Sequence, residues 1–283
     1  MGVLNLTPDS FSDGGLWDEP ARAVERGLRM LEEGADVLDL GAESTRPGGG
    51  VYGAGAMDVP AKEEIRRLLP VLEAVRGATA APISVDTRKG EVAERALEAG
   101  ADLINDVSAL SDSRLSRAVA AAGCPVILMH SRGELPSMQT GIHFGDLLGE
   151  VRAELALSLD CAAASGIRRE QVVLDPGIGF GKTWEQNLTL IGRLDALAGL
   201  GRPLLLGASR KSFISKTLEH AGRPAAPPAE RLAGSLAAVA WAAAGSAAIV
   251  RVHDVAETVQ FLAVWEAISE QATPAAAEAG ALA

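Results

Sequence analysis

Aromatic residues are scarce in this chain. Phe, Trp and Tyr make up 4% of its 283 residues, whereas hydrophobic residues as a whole make up 48%. Parallel strands that are covered by helices on both faces are short, continuous aliphatic runs, whereas an antiparallel sandwich shows alternating apolar and polar residues. A composition rich in Ala, Val, Leu and Gly but poor in aromatics therefore favours an α/β fold.

Basic residues are also in short supply. Lys and Arg number 26 against 37 Asp and Glu, so the formal net charge at pH 7 is −11. Nucleic-acid binding and binding to anionic membrane surfaces both depend on basic patches, so we expect neither partner. An anionic small substrate is still compatible with this balance, because a few Arg and Lys side chains inside a cleft can outweigh the global charge.

Cysteine occurs only twice, at Cys124 and Cys161. We interpret both as small buried hydrophobic residues rather than as a disulfide or metal ligands. Low cysteine use fits a reducing cytoplasm, and no secretory signal is visible at the start. The Ala-rich stretch 232–248 is too short and too weakly apolar for a membrane span, so we predict a buried helix there.

Eight short apolar runs recur along the chain, most of them ending in a polar residue and followed by a helical pattern. They cover residues 2–5, 36–40, 83–86, 103–106, 126–130, 172–175, 204–207 and 248–253. Eight strand–helix repeats close naturally into a barrel, so we predict a single (β/α)8 TIM barrel over residues 1–270. Residues 271–283 are predicted to be a disordered tail. An open doubly wound sheet is the structural alternative.

Polar residues stand at the ends of these strands. Because a (β/α)8 barrel carries its active site at the carboxyl ends of its strands, those residues are the candidate site. Asp39 and Asp106 are interpreted individually as strand-end hydrogen-bonding residues. His130 either lines the cleft or stabilises the loop after the fifth strand. The complete set is Asn5, Asp39, Glu43, Asp86, Asn105, Asp106, His130, Asp175, Lys211, Arg251 and His253.

Three loops lie between strands and helices on the same side. Residues 5–15 and 41–50 are polar and end in glycines, and together they are typical of a closing lid. Residues 175–182 are Gly-rich but lack the glycine spacing of a P-loop, and we expect no helix where a P-loop needs one, so nucleotide hydrolysis is rejected. Glycine there would let the backbone approach a flat ligand, with Phe180 as an apolar wall.

An ordered set of motifs resembles the dihydropteroate synthase family. The matching segments are residues 5–15, 43–48, 84–87 (Ser-Val-Asp-Thr), 104–106 (Ile-Asn-Asp), 128–130 (Leu-Met-His), 175–182, 209–212 (Ser-Arg-Lys-Ser) and 251–254 (Arg-Val-His-Asp). The resemblance covers nearly the whole chain. It implies condensation of 6-hydroxymethyl-7,8-dihydropterin diphosphate with p-aminobenzoate, which gives 7,8-dihydropteroate and diphosphate in folate biosynthesis.

The resemblance also assigns roles to residues. Pterin binding would fall to Asp86, Asn105, Asp175, Phe180, Lys211 and Arg251. Diphosphate binding would fall to Asn5, Arg46, Arg251 and His253, with Mg²⁺ held by Asn5. p-Aminobenzoate, and the sulfonamides that mimic it, would contact Phe11, Thr45, Pro47, Lys211 and Ser212. The catalytic residues would be Asp86, Lys211, Arg251 and His253.

The resemblance further implies a homodimer and small-molecule substrates. Members of the family usually carry an upstream segment that begins the first strand, whereas here Met1 lies four residues before Asn5. We therefore expect a truncated N-terminal end of the first strand, pairing over few residues, and a barrel that is open at its bottom. Two alternatives stay open: a catalytically inactive synthase-like paralogue, and a pterin-binding methyltransferase, which would not need the diphosphate-binding set.

Overall fold

The structure is a computed structural model that describes residues 1–6, 19–45, 58–245 and 247–272. Within this part of the chain, parallel strands alternate with helices. The strands are β1 (Gly2–Asn5), β2 (Leu38–Gly41), β3 (Ile83–Asp86), β4 (Leu103–Asp106), β5 (Val126–Met129), β6 (Val172–Asp175), β7 (Leu205–Leu206) and β8 (Ile249–Val250). The predicted runs match them, although β2 begins later and β7 and β8 are shorter than their runs.

The helices follow the strands in the order that a barrel requires. They are α1 (Glu19–Glu32), α2 (Ala61–Ala78), α3 (Gly90–Glu98), α4 (Ser113–Ala122), α5 (Leu147–Ala164), α6 (Trp184–Gly192), α7 (Asp195–Ala198), α8 (Ser212–His220), α9 (Leu232–Ala244) and α10 (Val255–Ala272). Local chemistry sets several of their ends. The Asp112 side chain accepts from the Arg114 amide at the start of α4, and Gly123 ends that helix at φ 65°.

The strands close into a barrel. Strands β1 to β6 pair in sequence order, and β7 pairs with β8. Bridges between Leu174 and Leu204 and between Gly2 and Val252 join these two groups on both sides. The Val3 amide donates to the Val252 carbonyl at 2.9 Å, which completes the ring. The (β/α)8 prediction is confirmed, and an open doubly wound sheet is excluded.

Two expectations that followed from a short first strand are wrong: β1 does not pair over fewer residues than its neighbours, and the barrel is not open at its bottom. Strand β1 pairs with β2 over four residues, which is the length of β2 to β6, and it also bonds to the segment after β8. The barrel interior at this level is filled by an apolar layer, which we call the plug. Its members are Met1, Val37, Leu103, Ile127, Val173, Leu205 and Ile249. The bottom of the barrel is therefore packed rather than open.

Outward-facing strand residues form the main core beneath the helices. Leu38 and Leu40 from β2 are completely buried, and so is Leu72 from α2, which belongs to the same cluster. None of the described helices is both long and apolar enough to cross a membrane. Helix α9 was predicted to be buried, but Trp241 on it is 54% exposed. The cysteine prediction also fails in part: Cys124 is half-buried, whereas Cys161 is exposed, and both are free thiols.

Candidate active site

The candidate site begins one inward-facing layer above the plug. Side chains of a strand alternate between its two faces, so residues two positions beyond the plug also face the interior. The plug is apolar, whereas the residues two positions further along are ionic or polar. Asp39 follows Val37, Asn105 follows Leu103, Asp175 follows Val173 and Arg251 follows Ile249. The strand pattern thus supplies an apolar floor with a charged layer directly on top of it.

Arg251 lies at the centre of this layer, between two carboxylates. Its Nε donates to Asp39 Oδ2 at 2.5 Å, and its Nη2 donates to Asp86 Oδ2 at 2.8 Å. Asn105 Nδ2 also donates to Asp39 Oδ2, at 3.2 Å. Asp39 is a hydrogen-bonding residue near the end of its strand, as predicted, but its partners are two candidate site residues, Asn105 and Arg251. The interpretation of Asp106 is confirmed, since it accepts from backbone amides of the loop that follows it.

Burial and shared charge shift the pKa values in this cluster. Burial raises the pKa of the Asp86 carboxyl to about 7, where the Arg251 guanidinium lowers it and the Asp39 carboxylate raises it again. Asp39 Oδ1, Ser84 Oγ and Asp86 Oδ1 are buried and have no hydrogen-bond partner among the described residues. Unpaired buried acceptors are costly, so they indicate a place where a ligand can donate hydrogen bonds.

A second pair, Asp175 and Lys211, stands opposite. A Cβ atom on Gly207 would lie 3.8 Å from Asp175 Oδ2, 3.9 Å from Arg251 Cβ and 3.9 Å from Lys211 Nζ, so Gly207 lets these groups converge. Burial lowers the pKa of Lys211 to about 8, whereas the Asp175 charge raises it. Lys211 Nζ donates to the Ile178 carbonyl and lies 4.9 Å from the centre of the Phe180 ring. The predicted pterin set is thereby brought together.

The predicted diphosphate residues are described only in part. Asn5 is exposed at the end of β1, and Arg46 lies outside the described residues. His253 Nδ1 lies 3.1 Å from Ser209 Oγ, which also accepts from the His253 amide at 3.2 Å. Burial lowers the pKa of His253 to about 4, and the Arg251 charge lowers it further, so the imidazole is neutral at pH 7. We assign the tautomer in which Nδ1 accepts from the Ser209 hydroxyl, which leaves Nε2–H as a donor.

The predicted p-aminobenzoate residues are also only partly visible. Thr45 is half-buried after β2, and Ser212 is the first residue of α8. Phe11 and Pro47 lie outside the described residues. Glu43 lies just before Thr45 and accepts from the Val59 amide at 3.1 Å and from Arg88 Nε at 3.1 Å. Glu43 therefore serves to hold the chain around the second loop.

His130 is connected to the Gly-rich segment through Lys182. His130 Nε2 lies 3.0 Å from Glu154 Oε2 on α5, so the interpretation that His130 stabilises the fifth loop is confirmed. Contrary to expectation, α6 begins at Trp184, directly after the Gly-rich segment. Pro176 nevertheless occupies the position at which a P-loop has its first glycine. Sequence reasoning also missed Lys182, a buried lysine whose only signal was its isolation at the end of the Gly-rich segment.

Comparison with known proteins agrees with this geometry. Residues 1–253 match the family model described as pterin binding enzyme. The chain is 46% identical to a dihydropteroate synthase of Synechocystis sp., over 95% of this chain and 89% of that protein. It is 42% identical to the Escherichia coli dihydropteroate synthase, over 94% of this chain and 90% of that protein.

Solved structures give the same result. A dihydropteroate synthase of Xanthomonas albilineans with 4-aminobenzoic acid superposes with a TM-score of 0.85 at 46% identity, covering 95% of this chain and 92% of that one. The Yersinia pestis enzyme in a sulfonamide drug complex superposes with a TM-score of 0.86 at 40% identity, covering 95% and 94%. The chain belongs to the dihydropteroate synthases of the pterin-binding enzyme family.

Proposed function

We propose that this chain joins 6-hydroxymethyl-7,8-dihydropterin diphosphate to p-aminobenzoate at the mouth of the barrel, giving 7,8-dihydropteroate and diphosphate. The observation that carries the proposal is the buried ionic layer above the plug. That layer combines Asp86 and Asp175 with Lys211 and Arg251 and contains unpaired acceptor atoms. A relative from X. albilineans has been solved with 7,8-dihydropteroate, the proposed product.

The pterin would occupy the space between the two acid–base pairs. Its amino-pyrimidinone edge carries N–H donors, which suit the carboxylates of Asp86 and Asp175 and the amide of Asn105. Lys211 would donate to the ring carbonyl and a ring nitrogen. The guanidinium of Arg251 uses its edge for Asp39 and Asp86, so its face is the part that would stack on the ring, with Phe180 as a further wall.

The diphosphate would lie nearer the exposed end of the strands. We propose that Asn5, Arg46, Arg251 and His253 bind it, with His253 donating through Nε2–H. Asn5 offers a neutral amide oxygen at the strand end, and the described residues contain no cluster of three or more His, Cys, Asp or Glu side chains suited to a metal. This donor set fits a Mg²⁺ ion that takes most of its ligands from phosphate and water. When bound, Mg²⁺ would neutralise charge on the leaving group.

p-Aminobenzoate would enter from the loop side. We propose that Thr45, Lys211 and Ser212 contact it together with Phe11 and Pro47. The X. albilineans relative binds 4-aminobenzoic acid, and the Y. pestis relative binds a sulfonamide drug, which supports a common subsite for substrate and drug.

The reaction would then need positioning and charge rather than a nucleophilic side chain. The bond between the pterin methylene carbon and the diphosphate oxygen breaks, and its electron pair leaves with diphosphate. The resulting methylene cation is delocalised into the pterin ring, and ionised Asp86 stabilises it. The amine nitrogen of p-aminobenzoate forms the new C–N bond and then loses a proton. Holding the weak nucleophile against the carbon supplies the remaining rate enhancement.

The proposal is tested by assaying the purified chain with both substrates. Dihydropteroate and diphosphate should form in equal amounts, and chelation of Mg²⁺ should slow both. Pterin binding without turnover, by protein with a normal circular dichroism spectrum, would instead support the inactive paralogue. Methyl transfer from methyltetrahydrofolate to a corrinoid would support the methyltransferase.

We also propose a cytoplasmic homodimer. Both cysteines are free thiols, which fits a reducing compartment. Exposed apolar side chains recur on α6, α9 and α10, and such residues are typical of subunit interfaces. They are Leu188, Trp241, Val259, Val264 and Ile268. Light scattering after size-exclusion chromatography should give twice the chain mass, and Trp241→Arg should shift it towards the monomer; a monomeric wild type would contradict the dimer.

A further inference from the structure

Lys182 is a buried lysine outside the set of candidate site residues, and burial lowers its pKa to about 7. Its side chain lies where the loop after β5 meets the Gly-rich loop after β6, and the residue is 2% exposed. Lys182 Nζ donates to the Phe180 carbonyl at 2.8 Å and to the Gly177 carbonyl at 3.0 Å. It also lies 2.9 Å from His130 Nδ1. The His130 carbonyl oxygen, 3.3 Å away, is a fourth acceptor, so the acceptors around Nζ outnumber the three N–H donors of a protonated lysine.

The contact with His130 continues to helix α5. Burial lowers the pKa of His130 to about 3, with help from the Lys182 and Arg132 charges, so the imidazole is neutral. Its Nδ1 accepts from Lys182, and its Nε2–H therefore donates to Glu154 at 3.0 Å. Arg132 from the fifth loop also donates to Glu154. Lys182, His130 and Glu154 thus form a continuous chain of hydrogen bonds, which we call the relay.

The two loops joined by the relay have no spare room between them. A Cβ atom on Gly177 would lie 1.8 Å from the His130 carbonyl oxygen, and one on Gly181 would lie 2.4 Å from the Arg132 carbonyl oxygen. Both glycines have positive φ, at 69° and 61°. Where Gly177 meets His130, Lys182 Nζ donates to the carbonyl of both residues, at 3.0 Å and 3.3 Å, and so supplies the donor that buried carbonyl groups need.

The loop that Lys182 holds also forms one side of the candidate pterin pocket. The Gly177 amide donates to Asp175 Oδ1 at 2.7 Å, and the Ile178 carbonyl accepts from Lys211 Nζ. The Phe180 ring lies beside the same lysine. The Gly177 amide, the Ile178 carbonyl and the Phe180 ring therefore all belong to residues 177–180. The carbonyl groups at the two ends of this segment, those of Gly177 and Phe180, accept from Lys182.

We propose that Lys182 is a positioning residue for pterin recognition, which it achieves by fixing residues 177–180 against Asp175 and Lys211. It does not contact the reacting atoms, and its effect on p-aminobenzoate should be much smaller than its effect on the pterin, because Lys211 is the one p-aminobenzoate residue that the loop contacts. The proposal rests on the function proposed above for the pocket, but its binding test does not require turnover.

Lys182→Met is the direct test, because Met is an unbranched side chain only one atom shorter than Lys and has no N–H donors. Lys216→Met is the matched control, since Lys216 is on α8 in a surface pair with Glu219. Lys182→Met should raise the KM for the pterin diphosphate at least tenfold and change the KM for p-aminobenzoate less than twofold. Hydrogen exchange should increase in residues 175–182. Unchanged pterin KM, or an equal rise in both KM values, would overturn the proposal.

A gentler variant covers the case in which Lys182→Met does not fold. Glu154 lies at the partly exposed end of the relay, with its side chain 37% exposed, so Glu154→Leu should remove the acceptor of the His130 Nε2–H and leave the fold intact. It should raise the dissociation constant of 6-hydroxymethylpterin, measured by calorimetry, about threefold; no change would overturn the proposal. If the wild type binds this pterin but has no turnover, the proposed function fails while the binding comparison still decides the role of Lys182.

Discussion

Arg251 and Asp86 form an ion pair at the mouth of the barrel, with Nη2 2.8 Å from Oδ2. The same guanidinium binds Asp39 through Nε, so one cation is shared by two carboxylates. Burial raises the pKa of Asp86 although a cation is adjacent to it. The negative charge of Asp39, which shares that cation, raises the pKa further. The layer is therefore an ionic unit whose members depend on one another before any substrate arrives.

Removal of the shared cation should destabilise the fold. Arg251→Met would leave Asp39 and Asp86 facing each other without compensation, and breaking such a buried pair costs about 3–5 kcal/mol. The urea midpoint at pH 8 should fall accordingly. Arg114→Met is the control, because Arg114 forms an exposed pair with Glu94, and its midpoint should change far less. Equal midpoints for the two variants would contradict the ionic unit.

Asp86 should also make stability depend on pH. Its folded pKa of about 7 exceeds the unfolded value of 3.8, so between these values the folded state keeps a proton that the unfolded state has lost. The free energy of unfolding should therefore fall as the pH rises from 4 to 7, by an amount on the order of 4 kcal/mol from this group. Asp86→Asn should remove that part of the slope. Parallel pH curves for wild type and variant would show that Asp86 does not titrate in this range.

Ser209 should set the hydrogen-bonding state of His253. Its hydroxyl lies between the His253 amide and Nδ1, which makes Nε2–H the donor available to the diphosphate. Ser209→Ala should lower kcat/KM for the pterin diphosphate about fivefold, which corresponds to about 1 kcal/mol of a hydrogen bond. The KM for p-aminobenzoate should not change, and an equal effect on both substrates would indicate a general loss of structure instead.

Gly177 should tolerate no side chain. Its φ of 69° and the 1.8 Å approach of a Cβ atom to His130 O make Gly177→Ala both strained and obstructed. The variant should lose more than about 2 kcal/mol of stability. Gly77→Ala is the matched control, because a Cβ atom there on α2 has nothing within 4 Å. It should be neutral or stabilising by up to about 1 kcal/mol, and similar melting temperatures for the two variants would refute the close loop packing.

Much of this fold could be predicted from the sequence, because parallel strands covered on both faces appear as uninterrupted apolar runs. The polar residues that end those runs also identified most of the site. The pairing of Asp39 could not be predicted, since alternation along a strand does not say which face points inwards. Lys182 was missed for a similar reason: a lysine in a Gly-rich loop is normally solvated, and only the tertiary contact with His130 makes it internal.

The role of Asp86 is tested by comparing wild type with Asp86→Asn in dihydropteroate formation at pH 8 and saturating substrates. Asp86 is proposed to stabilise charge that develops as diphosphate leaves, so the variant should lose at least about a hundredfold in kcat, on the scale of one electrostatic catalytic contact. It should bind 6-hydroxymethylpterin within about tenfold of wild type, because Asn keeps an acceptor. A variant that turns over within threefold of wild type would contradict the account.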